Sequence, residues 1–322
     1  MQTRGDRILA GFFVLGVASL LLGIVYGPDS SRDFSGEVNS QDNSSLEGQV
    51  FPDSTAIMNG IMPHKGFVLD AQTATRLKLP KRLKEISGLA MTADSRLLAH
   101  NDEKGIVFEI DYHDGTIIKS FTLSDHKAPV AADFEGIATA EGWIYLVTSS
   151  GRLYECREGN DQEAVLFNVY TTGIGRDYEI EGLAYDPILR ALLLMAKNPR
   201  SPDHEGLLTV YIWSVDTKQL VDDAHIVLTT SDFSSLIKTK NFHPSGIERH
   251  PLSGNYFIVA ARESAIAEIS PSGDVISVMP FPAKWHRQAE GITFLDPHTL
   301  IVSDEGAGKR ARLTLYPISD GR

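Results

Sequence analysis

Glu179-Ile180-Glu181-Gly182-Leu183 is one of five copies of a short phrase that recurs along the chain. The others are Glu85-Ile86-Ser87-Gly88-Leu89, Asp133-Phe134-Glu135-Gly136-Ile137, His243-Pro244-Ser245-Gly246-Ile247 and Gln288-Ala289-Glu290-Gly291-Ile292. From glycine to glycine the intervals are 48, 46, 64 and 45 residues, a period that belongs to stacked repeats such as propeller blades. After each Gly-Leu or Gly-Ile, an apolar stretch leads through a turn into a β-rich run, at 96–99, 143–148, 191–196, 255–261 and 299–303. A third run follows, as at 106–110 and 265–269, and then a fourth, as at 117–123, with Asp114-Gly115 and Ser272-Gly273-Asp274 marking turns. No long stretch after residue 66 keeps a helical period. These features predict an all-β fold over 66–322, a five-bladed β-propeller of four-stranded antiparallel blades. The longest interval predicts an insertion at 198–206 and 216–242, with a short helix at 231–240.

The fifth unit runs out after 311–316, three strands in, while 67–79 precede the first phrase without a blade of their own. These ends are expected to complete one blade together, because closing the ring removes exposed sheet edges. Further upstream, 8–26 is a run of 19 residues without a charge. As a helix rising ~1.5 Å per residue it comes close to spanning a hydrocarbon core of ~30 Å. Arg4 and Arg7 precede it, and Asp29, Arg32, Asp33 and Glu37 follow. The expected order is a cytoplasmic N-terminus at 1–7, one transmembrane helix at 8–26, a Ser/Asp/Asn-rich flexible linker at 27–65 and an exported propeller. A cleaved signal peptide competes with this reading. Its apolar region would be only ~7–15 residues, and Val25-Tyr26-Gly27 before Pro28 is a poor cleavage site.

A hydrophobic content of 42% with 22% charged residues is that of a globular chain. The formal net charge of -12 repels phosphate backbones, which argues against nucleic acid as a partner. Cys156 is the single cysteine, so neither an intrachain disulfide nor a cysteine-based metal site can form. Cys156 and Tyr154 share a strand face and read as core, as do Trp143, Trp213 and Trp285. The chain has no GxSxG, HxH or HExxH pattern. Gly173-Ile174-Gly175 and Gly306-Ala307-Gly308-Lys309 complete no phosphate-loop pattern and read as turns.

In a propeller the first strand of each blade lines the central channel and the second returns antiparallel, so the start of one and the end of the other share a mouth. Ser87, Glu135, Glu181, Ser245 and Glu290 stand at those starts, with Glu85, Asp133, Glu179, His243 and Gln288 two positions earlier. The second strands end at 101–103, 149–150, 197–198, 262–263 and 303–305. Three glutamates on a small ring repel one another, so some must protonate, pair with a cation such as Lys197 or Arg262, or bind a metal. So oxygen-rich a set suits a hard ion, Ca²⁺ ahead of Mg²⁺. The alternative is that each glutamate caps backbone N–H groups of the neighbouring blade.

Several ordered stretches resemble the SdiA-regulated, YjiK-like family of bacterial envelope proteins, over 66–318. They are Asp133-Phe134-Glu135-Gly136-Ile137, Glu181-Gly182-Leu183-Ala184-Tyr185, Pro244-Ser245-Gly246-Ile247 with His250-Pro251, and Gln288-Ala289-Glu290-Gly291. Arg262-Glu263-Ser264-Ala265-Ile266 and Ser270-Pro271-Ser272-Gly273-Asp274 add to them. The resemblance implies a five-bladed propeller distantly related to NHL-repeat propellers, an N-terminal membrane segment, calcium at a shared site and no established activity. Carried onto matching positions, it makes Glu135, Glu181 and Glu290 the leading metal ligands, with Asp102, Asp304 and Glu305 behind them. Ser149-Ser150 and His243 depart from the acidic or amide residues that the family often has there. The expectation is a single-pass bacterial inner-membrane protein whose periplasmic propeller binds calcium at its channel mouth and serves as a module for a protein or small-molecule ligand. A metal-dependent hydrolase, phosphoesterase- or lactonase-like, is the alternative use of the same carboxylates. Against it stands a thin supply of cations at the mouth, Lys197 and Arg262 with Lys309 or Arg310.

Overall fold

Every copy of the phrase opens the innermost strand of a sheet in the computed structural model, which describes residues 67–125, 128–197, 205–237, 239, 241–282 and 284–320. The expected anchor at 8–26 and linker at 27–65 lie outside these residues, as does most of 198–206. No helix among the described residues is long and apolar enough to cross a membrane.

Two short strands, β1 (Phe67–Leu69) and β2 (Thr75–Lys78), precede the blades. Blade 1 is β3 (Ile86–Met91), β4 (Leu97–Asn101), β5 (Ile106–Ile110) and β6 (Ile117–Leu123). Blade 2 is β7 (Phe134–Ala140), β8 (Trp143–Thr148), β9 (Arg152–Cys156) and, after the two-residue β10 (Ala164–Val165), β11 (Phe167–Thr171). Blade 3 is β12 (Glu179–Asp186), β13 (Ala191–Lys197), β14 (Leu207–Ser214) and β15 (Gln219–Thr229). The helix α1 (Thr230–Ile237) leads into blade 4, which is β16 (Gly246–Arg249), β17 (Tyr256–Ala260), β18 (Ala265–Ile269) and β19 (Val275–Pro280). Blade 5 holds β20 (Ala289–Asp296), β21 (Thr299–Asp304) and β22 (Arg312–Asp320).

Burial accounts for the composition of the strands. A second strand is sandwiched between two neighbouring blades, so β13 and β17 are apolar almost without alternation and buried on both faces. The outermost β11 is largely exposed and mixes Asn168 and Thr171 with its apolar residues. The core is five clusters between adjacent blades: Tyr145 meets Trp213 between blades 2 and 3, and Phe257 meets Phe294 between blades 4 and 5. Cys156 and Tyr154 lie in the cluster between blades 1 and 2, as their strand face predicts.

Blade 5 is closed from the other end of the domain. β22 pairs antiparallel with β1, Phe67 opposite Asp320, and with β2, Thr75 opposite Leu315. The fourth strand of this blade is therefore made of two pieces, both from the N-terminal side of the propeller. An Asx turn bridges the break: Asp70 accepts from the Gln72 amide at 2.9 Å and from the Thr73 hydroxyl at 2.6 Å. Two features differ from what the sequence predicts. β10 adds a parallel fifth strand to blade 1 by pairing with β6, a two-residue element too short to leave a periodic signal. The helix is Thr230–Ile237 rather than 231–240; it ends after Phe233 has stacked on Phe242, with ring centroids 4.3 Å apart.

The phrase places three layers around the axis. In blades 1, 2, 3 and 5 the residue before the glycine is a bulge: Ser87, Glu135, Glu181 and Glu290 are skipped in the pairing with the second strand, which turns their side chains out of the sheet. The glycine then lets the next blade come close. A Cβ on Gly136 would lie 2.6 Å from the Leu183 amide nitrogen, and one on Gly291 would lie 2.8 Å from Leu89 Cγ. The Leu or Ile that follows packs over the preceding blade's glycine, and this pattern runs around the ring without a break.

Deleting residues 66–80 removes β1 and β2 and bares the edge of β22. The expected product is insoluble or melts without cooperativity, and a soluble monomer with a sharp melt would count against this account of closure. Gly136→Ala is expected to lower stability in denaturant titration by about 1–3 kcal/mol or more, because backbone must shift to admit the methyl group.

Candidate functional site

The five residues that precede the phrase glycines open into one cup of about 430 Å³ at the end of the channel. Ser87, Glu135, Glu181, Ser245 and Glu290 all line it, as their shared place at the mouth predicts. Beneath them the throat narrows to about 10 Å³ between the five glycines and the buried side chains of Leu89, Ile137, Leu183, Ile247 and Ile292. The site is a closed cup with an apolar floor.

That floor governs the electrostatics. Burial, with Glu181, Asp133 and Glu290 close by, pushes Glu135 up to about 9. Burial, with Glu181 nearby, pushes Glu290 up to about 8 while Lys197 opposes. Burial also raises Glu181, but Lys197 Nζ lies 2.8 Å from its Oε2 and works against the rise. The ring thus resolves its repulsion with one ion pair and two retained protons. Among the described residues no backbone N–H donates to any of the three carboxylates, so the capping alternative does not hold for them. Ser245 does cap: its Oγ donates to Ala289 O at 2.6 Å and accepts from the Ala261 amide at 3.2 Å.

The upper rim is polar. Ser149 Oγ donates to Asp133 Oδ2 at 2.6 Å, which gives Ser149 a use at a position where an acid was expected. His243 Nδ1 lies 2.7 Å from Glu263 Oε1. Burial and the hydrogen bond to Glu85 push Glu305 up to about 7, while that bond and Lys84 lower Glu85. Burial raises Asp102, and its Oδ1 is buried without a hydrogen-bond partner. Arg262, Arg287 and Gln288 complete the wall. Arg287 has no counterpart among the sequence-predicted site residues, although it directly precedes the fifth phrase.

Of the six expected metal ligands, Glu135, Glu181, Glu290, Asp102 and Glu305 line the cup and Asp304 does not. Strand alternation is the reason. Ser303 faces inward and accepts from the Gly291 amide at 3.1 Å, which sends Asp304 to the other face of β21. There Asp304 Oδ2 sits 2.7 Å from His286 Nδ1, at ion-pair distance but short of hydrogen-bond geometry. Among the described residues, no three His, Cys, Asp or Glu side chains are grouped closely enough to hold a metal ion.

No protein-family model and no curated protein matches the sequence. Among solved structures, the fold is similar to the glutaminyl cyclase of Myxococcus xanthus, with a TM-score of 0.50 and 13% identity over 79% of this chain and 96% of that one. A protein of unknown function from Bacteroides caccae aligns with a TM-score of 0.41 and 13% identity over 65% of this chain, which spans 64% of that protein. An inactive virginiamycin B lyase variant from Staphylococcus aureus aligns with a TM-score of 0.41 and 14% identity, covering 74% of this chain and 69% of that one. Likeness at such identity concerns the architecture and leaves the chemistry to the site.

The raised carboxylates make stability depend on pH. In the unfolded chain Glu135 and Glu290 lose their protons near 4.5, whereas the folded chain keeps them to about 9 and about 8. Their contribution is therefore full below pH 4.5 and is lost as pH rises towards 9, at about 1.4 kcal/mol per pH unit for each group. Glu135→Gln is expected to flatten this slope and to be more stable than the parent at pH 8. Denaturant midpoints measured from pH 5 to 9 check it; an unchanged slope in the variant would mean that Glu135 titrates normally.

Proposed function

We propose that the chain is a membrane-anchored propeller of the bacterial envelope, of the SdiA-regulated, YjiK-like kind, and that it is a binding module whose cup takes a cation in exchange for protons. The observation that carries this reading is the convergence of Glu135, Glu181 and Glu290 above an apolar floor, where two of the three hold protons at neutral pH. A cation entering the cup meets carboxylates in a low-dielectric setting, where the attraction is far stronger than in water. The unpartnered Oδ1 of Asp102 in the same cup supports the reading, since buried polar atoms are rarely left unsatisfied.

Calcium is the ion that the family resemblance implies, and carboxylate and hydroxyl oxygens are the right donors for it. It needs ~6–8 of them at short range. The cup's side chains are not grouped for that and Glu181 is engaged by Lys197, so they do not fit a preformed calcium cage. An ammonium or guanidinium group needs only one or two carboxylates, as the Lys197 ammonium beside Glu181 illustrates. We therefore assign the cup to a cationic group on a peptide or small-molecule ligand.

Thermal unfolding of the full-length chain with calcium chloride, magnesium chloride or spermidine, at pH 6 and pH 9, tests this. A ligand at about 100 times its Kd adds about 2.7 kcal/mol to stability. Spermidine is expected to raise the midpoint, more at pH 9 than at pH 6, and Glu135→Gln with Glu290→Gln to remove the rise. A shift with calcium alone would favour the metal site instead. No shift with any of the three at either pH would overturn the cationic cup.

A further inference from the structure

A second cavity, of about 420 Å³, opens beside the cup and shares Arg287 and Glu305 with it. It lies at the seam where the two ends of the propeller meet. Arg76 and Lys78 reach it from β2, Arg312 from β22, Lys309 and Arg310 from the loop before β22, and Lys284 and Arg287 from the segment before β20. Seven cations thus gather around Asp304 and Glu305, on a chain of formal net charge -12. Both carboxylates are already engaged, Asp304 beside His286 and Glu305 with Gln288 and Glu85. None of the seven cations forms an ion pair with another described residue.

Arg76 is held ready without a counter-ion. Its guanidinium lies 4.5 Å over the Trp285 ring centre, one terminal nitrogen donates to Trp285 O at 3.2 Å, and its buried Nε has no hydrogen-bond partner. The segment that carries Trp285 is pinned in turn, because the neighbouring His286 is buried with its Nε2 2.7 Å from the Tyr316 hydroxyl and its Nδ1 beside Asp304. Lys284 at φ 68 and Ala307 at φ 41 are held in the left-handed region on either side of the cavity, a backbone cost that clusters at ligand sites.

We propose that this seam pocket binds a phosphate group, carried either by a soluble phosphoester or by an anionic lipid headgroup. Like charges crowded against low-dielectric walls focus a positive potential that a multivalent anion relieves. A carboxylate presents two oxygens in one plane, which a single guanidinium can satisfy. Cations arriving from three separate stretches, 76–78, 284–287 and 309–312, suit a tetrahedral group with oxygens on every side, and the guanidinium forks of Arg76 and Arg312 match its edges. The volume exceeds that of a bare ion and falls in the range of small organic ligands.

The test is calorimetry of the full-length chain, held in a nonionic detergent, with pyrophosphate and with short-chain phosphatidylglycerol or phosphatidylcholine. Pyrophosphate is expected to bind, and to bind less tightly as salt is added. Arg76→Gln should weaken binding at least about tenfold. Because Arg76 also packs on Trp285, the double variant Lys309→Gln/Arg310→Gln, altering two exposed side chains, serves as a second reading and should weaken it about three- to tenfold. Arg152→Gln, which removes an exposed cation on β9 outside both cavities, should leave it unchanged. Binding of phosphatidylglycerol only, lost in the same variants, would identify the headgroup as the source. If neither form of phosphate binds, or both variants bind as the parent does, the pocket is not a phosphate site.

Discussion

The structure depends on one repeated contact, in which each blade's phrase glycine receives the Leu or Ile of the next blade. Ile137 covers Gly88, Leu183 covers Gly136, Ile247 covers Gly182, Ile292 covers Gly246 and Leu89 returns to cover Gly291. The position needs a residue without a Cβ: at Gly136, Gly182, Gly246 and Gly291 a methyl group would meet the next blade at 2.6–3.0 Å, and at Gly88 it would meet His100 Nε2 of its own blade at 2.5 Å. Five such contacts in a closed cycle set the spacing of the blades at the axis. The strands outside follow, because each blade can bury both faces only if its neighbours stand at that spacing.

The cup is a by-product of the same packing. Where the inner strands come so close, the residue ahead of the glycine is pushed into a bulge in blades 1, 2, 3 and 5, and a bulge re-aims its side chain along the axis. Where that residue is glutamate, a carboxylate is carried over an apolar floor and loses much of its hydration. Two outcomes follow in one ring: Glu181 meets the Lys197 ammonium, and burial favours the protonated form of Glu135 and Glu290. The seam pocket has the opposite history. Its cations come from the strands that close the ring and from the loops before β20 and β22, around a cavity with few free carboxylates, so a chain acidic overall presents an acidic cup and a basic pocket side by side.

Much of this architecture is legible in the order of the residues. The five phrases locate the inner strands, the continuous apolar runs mark the sandwiched second strands, and the missing fourth strand at the end of the chain points to 67–79 as its replacement. The convergence of Glu135, Glu181 and Glu290 follows from their equivalent places in the repeat, and the pairing of one of them with Lys197 is among the outcomes that mutual repulsion allows. Asp304 is different, because a run of adjacent polar residues, Ser303-Asp304-Glu305, hides which of them a strand turns inward. β10 leaves no trace in the pattern, since two residues carry no period.

Local pattern by itself determined the blade count, the order of the blade strands, the way the ring closes and the five residues ahead of the glycines at the mouth, because each of these is written in spacings of a few residues or in the recurring phrase. Tertiary structure alone decided the protonation of the carboxylates, since desolvation depends on how far five separate floors close beneath them. It also decided the seam pocket. Arg76 and Arg312 stand at opposite ends of the propeller sequence, and only the pairing of β2 with β22 places their charges around one cavity.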